Sequence, residues 1–148
     1  MKRIFSILFL LSLLISACTP ATTPAATQAA TEAPAQPAAS NALFQIIKAD
    51  STKFDVTLDA LKALPLAQIT VDGKVQEGPK LSEVLALAGV TQFTEVTLTG
   101  SASPATLTFK QVDDNTILDF NNHGTLKLAT TYIPMPNWTK DISEITVK

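Results

Sequence analysis

Gly78-Pro79-Lys80-Leu81-Ser82-Glu83-Val84-Leu85-Ala86-Leu87-Ala88-Gly89-Val90 is the stretch from which the fold is read. Gly78-Pro79 reads as a break in the preceding strand, because proline cannot donate to a ladder. Ser82 then reads as an N-cap. Val84, Leu85, Leu87 and Ala88 fall at helical spacing, and Gly89 supplies the residue that a left-handed C-cap needs. Everything flanking this helix carries strand signals. Upstream, Asp72-Gly73 sits between Gln68-Ile69-Thr70-Val71 and Lys74-Val75-Gln76, a strong short-range signal for a hairpin. A second short helix is predicted from Thr57 as N-cap, with Leu58, Leu61 and Leu64 on one face, Asp59 in the first turn and Pro65 as its stop.

Before that helix, Leu43 to Lys48 and Lys53 to Thr57 read as extended segments. After Gly89, Glu95 to Thr99 and Thr106 to Lys110 alternate as strands, Ile117 to Phe120 is short and extended, and Thr125 to Ala129 returns as a strand. Asn121-Asn122-His123-Gly124 turns between the last two. Trp138, Ile142, Ile145 and Val147 complete the expected buried set. Strands outnumber helices, and the two helices are too short and too far apart for a doubly wound parallel sheet. The expectation is an α+β class, as a β-rich single domain over residues 41–148.

The chain opens differently. Lys2-Arg3 precedes an apolar run from Ile4 to Leu14, and Ile15-Ser16-Ala17-Cys18 resembles a bacterial lipobox, with small residues before the only cysteine. A bilayer span needs about 20 apolar residues, and Ser6, Ser12, Ser16 and Pro20 interrupt this run too early. Residues 1–17 are therefore expected to be a lipoprotein signal peptide, with Cys18 as the lipidated residue. Two or three acyl chains there would hold the protein stably on a membrane. Residues 18–40 continue in Ala, Thr, Pro and Gln with a single Glu and a final Ser, a composition that buries too little apolar area to order itself. They are expected to form a disordered linker. The location implied is the cell envelope, on the extracytoplasmic face of a bacterial membrane. Thr19 lacks the Asp that resembles an inner-membrane retention signal, and the choice between inner and outer membrane stays open.

Charge excludes one partner class. The full chain carries a formal net charge of −2, and removing Lys2 and Arg3 leaves it more acidic, which argues against nucleic acid and against electrostatic adsorption to anionic lipid. The lone Cys rules out a disulfide within the domain, so packing must stabilise it.

The order of signals resembles the sulfite-oxidase-type molybdopterin-binding domain. The likeness lies in Thr57-Leu58-Asp59-Ala60-Leu61-Lys62-Ala63-Leu64-Pro65, then a hairpin, then Gly78 to Leu85 with Ala88-Gly89-Val90, then Val96-Thr97-Leu98-Thr99-Gly100. The family's helix reads roughly Gly-Val-x-Leu-x-x-Leu-Leu followed by Ala-Gly-Val. His123-Gly124-Thr125-Leu126-Lys127-Leu128 is similar to its His-Gly-Pro-Leu-Arg-Leu, and Asn137-Trp138-Thr139-Lys140-Asp141-Ile142 to its Lys-Trp-Val-Lys-x-Ile. The likeness spans residues 55–147. It implies an oxidoreductase ancestry and a molybdopterin site at His123, Lys127 and Lys140. The family also ligates molybdenum through a cysteine thiolate, and residues 41–148 contain none; hydroxyls do not replace that soft ligand. Lys127 stands at the family's Arg and loses its bidentate fork, and Asn137 stands at a Lys and loses its charge. The expectation is a binding or interaction module without molybdenum chemistry and with no tightly bound cofactor, its small-molecule or protein partner unknown. The alternatives are a molybdopterin-dependent oxidoreductase with a degenerate site and an unrelated β-rich solute-binding lipoprotein.

Other candidates have plainer readings beside them. His123, the only histidine, fits a pocket residue or proton carrier, but a turn histidine bonded to backbone is favoured because a lone His lacks partners for chemistry. Asp113, Asp114, Asn115 and Asp119 offer oxygens for Ca²⁺ at a spacing that does not match a loop with alternating ligands. Ser101 and Ser103 fit a solvated turn better than an anion site. Tyr132, Met135 and Trp138 cluster round two prolines as a possible groove, and Trp138 fits equally as a core plug.

Overall fold

The computed structural model describes residues 41–148. The expected signal peptide, Cys18 and the linker to Ser40 lie outside the described residues. Nine strands, two short α-helices and two single turns of 3-10 helix make up the described chain, in agreement with a β-rich α+β class. Strands β1 (Ala42–Ile47) and β2 (Lys53–Thr57) lead into α1 (Leu58–Lys62). Strands β3 (Leu66–Val71) and β4 (Lys74–Pro79) lead into α2 (Leu81–Leu87). Then follow β5 (Glu95–Thr99), β6 (Ala105–Thr108), β7 (Thr116–Phe120), β8 (Leu126–Thr130) and β9 (Glu144–Val147).

One sheet has the order β2-β1-β9-β5-β6, and β3-β4 and β7-β8 are separate hairpins. The last strand, β9, is inserted between β1 and β5, parallel to β1 and antiparallel to β5. Its Ile145 and Val147 thereby join Phe44, Ile46, Val96 and Leu98 in the main core, onto which Leu61 of α1 and Leu81, Val84 and Leu85 of α2 pack.

Local chemistry explains most element ends. Thr57 is the N-cap of α1, and its Oγ1 accepts from Ala60 N at 3.2 Å. Asp72 and Gly73, with φ of 51° and 75°, form the turn of the β3-β4 hairpin, and both central residues are left-handed as a primed turn requires. Gly89, with φ 73°, follows the end of α2. Three expectations are corrected. Ser82 does not cap α2: Lys80, in extended conformation, is the N-cap with no side-chain bond, and Leu81 is needed in the first turn because its side chain is fully buried. Gly78-Pro79 does not break its strand, because β4 runs to Pro79, paired with Leu66. The glycine instead lets the backbone of β4 approach β7, where a Cβ on Gly78 would lie 1.9 Å from the Leu118 carbonyl oxygen. Finally, the strand expected to reach Lys110 ends at Thr108. A capping box between Thr108 and Gln111 folds Phe109 to Gln111 into a 3-10 turn and sets Phe109 edge-on to Phe93, with centroids 5.0 Å apart.

The β7-β8 hairpin is buried on both faces. Leu118, Leu126 and Leu128 belong to the main core, while Ile117 and Ala129 point the other way, into a smaller cluster with Ile69 of β3 and Trp138. That second cluster is the base of the candidate site.

Candidate functional site

Where the small cluster meets solvent, the described residues form a cleft of about 530 Å³ lined by Asp72, Lys74, Gln76, Lys127, Met135, Pro136, Trp138 and Lys140. Its size falls in the usual range for small-molecule sites. Strand alternation accounts for its walls. On β3-β4, Ile69 pairs with Gln76 and Val71 with Lys74, so Gln76 and Lys74 lie on the hairpin face that carries buried Ile69. On β7-β8, Asp119 pairs with Lys127 and Ile117 with Ala129, which puts Lys127 on the face turned to the same cluster. The segment after the prolines closes the cleft. Leu128 N donates to Thr139 O at 2.9 Å and Ile142 N to Leu126 O at 2.9 Å, so 139–142 lies along β8. On its other side, a Cβ on Gly100 would be 2.1 Å from Lys140 O, and Ser101 N donates to that same oxygen at 2.8 Å.

Trp138 answers both of its sequence readings. It is 2 % exposed and packs in the second cluster, its Nε1 donating to Ile133 O at 2.9 Å, yet it also reaches the cleft wall beside Met135. Tyr132 is elsewhere: its hydroxyl donates to Asp113 Oδ2 at 2.6 Å. That contact raises the Tyr132 pKa. In Asp113 burial works upward, but the bonds from Tyr132 and Asn115 outweigh it and hold the carboxyl below its usual range.

The structure thus brings together Lys127, Lys140, Met135 and Trp138 and leaves His123 and Tyr132 outside the cleft lining. His123 sits exposed in the turn before Gly124, its N–H donating to Asn121 Oδ1 at 2.9 Å. The oxygens that the sequence offers for Ca²⁺ have protein partners: Asp113 bonds Tyr132 and Asn115, Asp114 pairs with Lys80 at 2.7 Å, and Asp119 with Lys127 at 3.1 Å. Among the described residues, no group of three or more His, Cys, Asp or Glu is placed to hold a metal ion. Ser101 is bound into a loop tie, donating to Asp141 Oδ2 at 2.6 Å. Asp141 also accepts from Thr125 Oγ1 and from Asn121 Nδ2, and these donors, Ser101 first, hold its carboxyl below the usual range.

Sequence reasoning missed Lys74, Gln76, Asp72 and Pro136. The signal was present for two of them, since alternation carried through the Asp72-Gly73 turn from Ile69 and Val71 assigns Lys74 and Gln76 to the inner face. Chemically, the cleft offers three ammonium groups, one carboxylate, one amide and a thioether, with no thiolate or imidazole. Such a lining suits an anion and has no ligand of the kind that holds molybdenum in sulfite-oxidase-type domains. No helix of the described residues is long and apolar enough to cross a membrane. No protein-family model matches the chain, and no curated protein matches it either.

Proposed function

We propose that this chain is a lipid-anchored lipoprotein of the outer side of a bacterial membrane, and that its domain is a binding module related to the sulfite-oxidase-type molybdopterin-binding fold but without redox chemistry. The observation that carries the binding reading is the cleft where Lys74, Lys127 and Lys140 meet Met135 and Trp138. The anchor rests on Lys2-Arg3, the short apolar run and Cys18. The loss of redox chemistry rests on the single sulfhydryl of the chain standing at the lipidation position, which leaves no thiolate for a metal.

Two measurements test this. Labelling with a radioactive fatty acid should mark the wild-type protein and not Cys18→Ala, and the variant should leave the membrane fraction. Elemental analysis of the purified full chain should find no stoichiometric molybdenum. Molybdenum near one atom per chain, with pterin released on denaturation, would instead establish the degenerate oxidoreductase, for which Lys127 and Lys140 stand on one cleft.

A further inference from the structure

The cleft makes more specific demands than a general binding site. The sequence outside 41–148 holds Lys2, Arg3 and Glu32 of the chain's 11 basic and 13 acidic residues, which leaves nine lysines against twelve carboxylates in the domain. Three of those nine lysines line this one cleft, with Asp72 in the lining and Asp119 paired to Lys127 as the carboxylates near them. A positive focus on an acidic domain raises the local concentration of anions there. The ion pairs among the described residues are Lys80–Asp114, Lys127–Asp119 and Lys148–Glu95, so the ammonium groups of Lys74 and Lys140 have no carboxylate partner. Lys127, by contrast, is paired with Asp119, its cross-strand neighbour on the same face.

A second, independent observation concerns Gln76. The residue is 6 % exposed and lines the cleft, its Nε2 donates to Val75 O at 3.1 Å, and its Oε1 is buried with no hydrogen-bond partner. A buried amide oxygen left without a donor costs about 1 to 3 kcal/mol. Only a guest whose N–H or O–H reaches that oxygen removes that cost.

We propose that the cleft binds a small organic anion that also carries a hydrogen-bond donor, its charged group facing Lys74 and Lys140 and its N–H or O–H on Gln76 Oε1. This rests on the binding-module reading above and assigns the ligand class of the same site. The lysines discriminate against neutral molecules of the same shape. Gln76 discriminates against anions that only accept, because those leave its oxygen unpaired. Met135, Pro136 and the edge of Trp138 provide apolar surface for a carbon skeleton, which a bare inorganic anion lacks.

Trp138 is the chain's single tryptophan, so its fluorescence reports on the cleft directly. The full chain, purified in detergent, is titrated with D-glucuronate and with N-acetyl-L-glutamate, each an anion bearing donors. D-glucose (donors without charge), acetate (charge without a donor) and inorganic phosphate serve as comparisons. At least one organic anion should give a saturable change that weakens as salt is raised. Lys74→Met and Lys140→Met, both at exposed positions, should each weaken it about threefold, the usual scale for one exposed ion pair. Gln76→Leu should lower the affinity for that organic anion towards the level of acetate, with a circular dichroism spectrum like that of the wild type showing that the variant is folded. The proposal is overturned if neither organic anion binds, if glucose, acetate or phosphate binds as well as they do, or if the lysine variants or Gln76→Leu bind like wild type. Stoichiometric molybdenum would overturn the reading of a redox-silent module whatever these titrations show, so the two failures are distinguishable.

Discussion

Gly78→Ala tests whether the cleft hairpin is held by direct backbone contact. The added Cβ would lie 1.9 Å from Leu118 O, 2.7 Å from Leu118 C and 3.1 Å from Asp119 Cα, where ordinary contact begins at 3.4 Å. Relief therefore requires β4 and β7 to separate by about 1.5 Å, and no side-chain rotamer can absorb the change, because the atoms in the way are backbone. Overpacking of this kind costs about 1 to 3 kcal/mol, with the rigid partner placing this case at the upper end. The reduced freedom of the unfolded chain returns about 0.4 to 1 kcal/mol, for a net loss of about 2 kcal/mol. In a domain of this size that lowers Tm by about 10 °C. The comparison is Gly73→Ala, where no atom lies within 4 Å but φ is +75°; left-handed strain alone costs about 1 kcal/mol. Urea and thermal unfolding of the full chain, followed by circular dichroism, rank the two variants. Because Gln76 is two residues from the displaced glycine, the Trp138 emission of folded Gly78→Ala should also shift. If Gly78→Ala is as stable as wild type, or costs less than Gly73→Ala, the close approach of β4 to β7 is wrong and so is the wall of the cleft built on it.

Asp141 makes the domain acid-sensitive in a defined direction. Its folded-state pKa lies below the unfolded value of about 3.9, so its contribution is complete above that pH and disappears as pH falls through the lower folded value. Asp141→Asn keeps a side chain that tolerates its φ of 47° and should flatten the loss of stability below about pH 4; an unchanged acid limb in urea titrations would refute this. Asp119→Asn should move two observables in opposite senses. Loss of the 3.1 Å pair with Lys127, whose side chains are 14 % and 30 % exposed, lowers stability by about 1 kcal/mol, while the unneutralised ammonium tightens organic-anion binding about twofold. Parallel changes in both would count against Lys127 facing the cleft. Thr116→Val removes a buried hydroxyl that bonds Gln111 O at 2.7 Å and Thr130 Oγ1 at 2.9 Å, and should cost about 1 to 3 kcal/mol in chemical denaturation.

What the sequence disclosed about this molecule follows the range over which each force acts. Thr57 as a cap, Asp72-Gly73 as a primed turn and Gly89 as a left-handed stop are decided within four residues, and each is found where the residues require it. Errors arose where a distant backbone overrode a local preference. Gly78-Pro79 carries a break signal, but β7 needs the space a side chain would fill, and Pro79 sits at a strand end where its missing N–H does no harm. Ser82 is a better cap than Lys80 in isolation, but the main core requires Leu81 inside the first turn, which shifts the cap upstream. The insertion of β9 between β1 and β5 joins segments about a hundred residues apart, and no periodicity encodes that pairing. The cleft combines both cases. Its lysines come from β4, β8 and the 139–142 segment, brought together by the hairpin ladders and by the bonds of Leu128 and Ile142 across the two segments. Lys127 and Lys140 drew attention through resemblance, whereas Lys74 and Gln76 occupy their places through period-two alternation and a two-residue turn. A one-residue insertion into that turn would carry Lys74 and Gln76 to the outer face while β3 kept Ile69 in the small core, so organic-anion binding should be lost with a smaller effect on stability than Gly78→Ala.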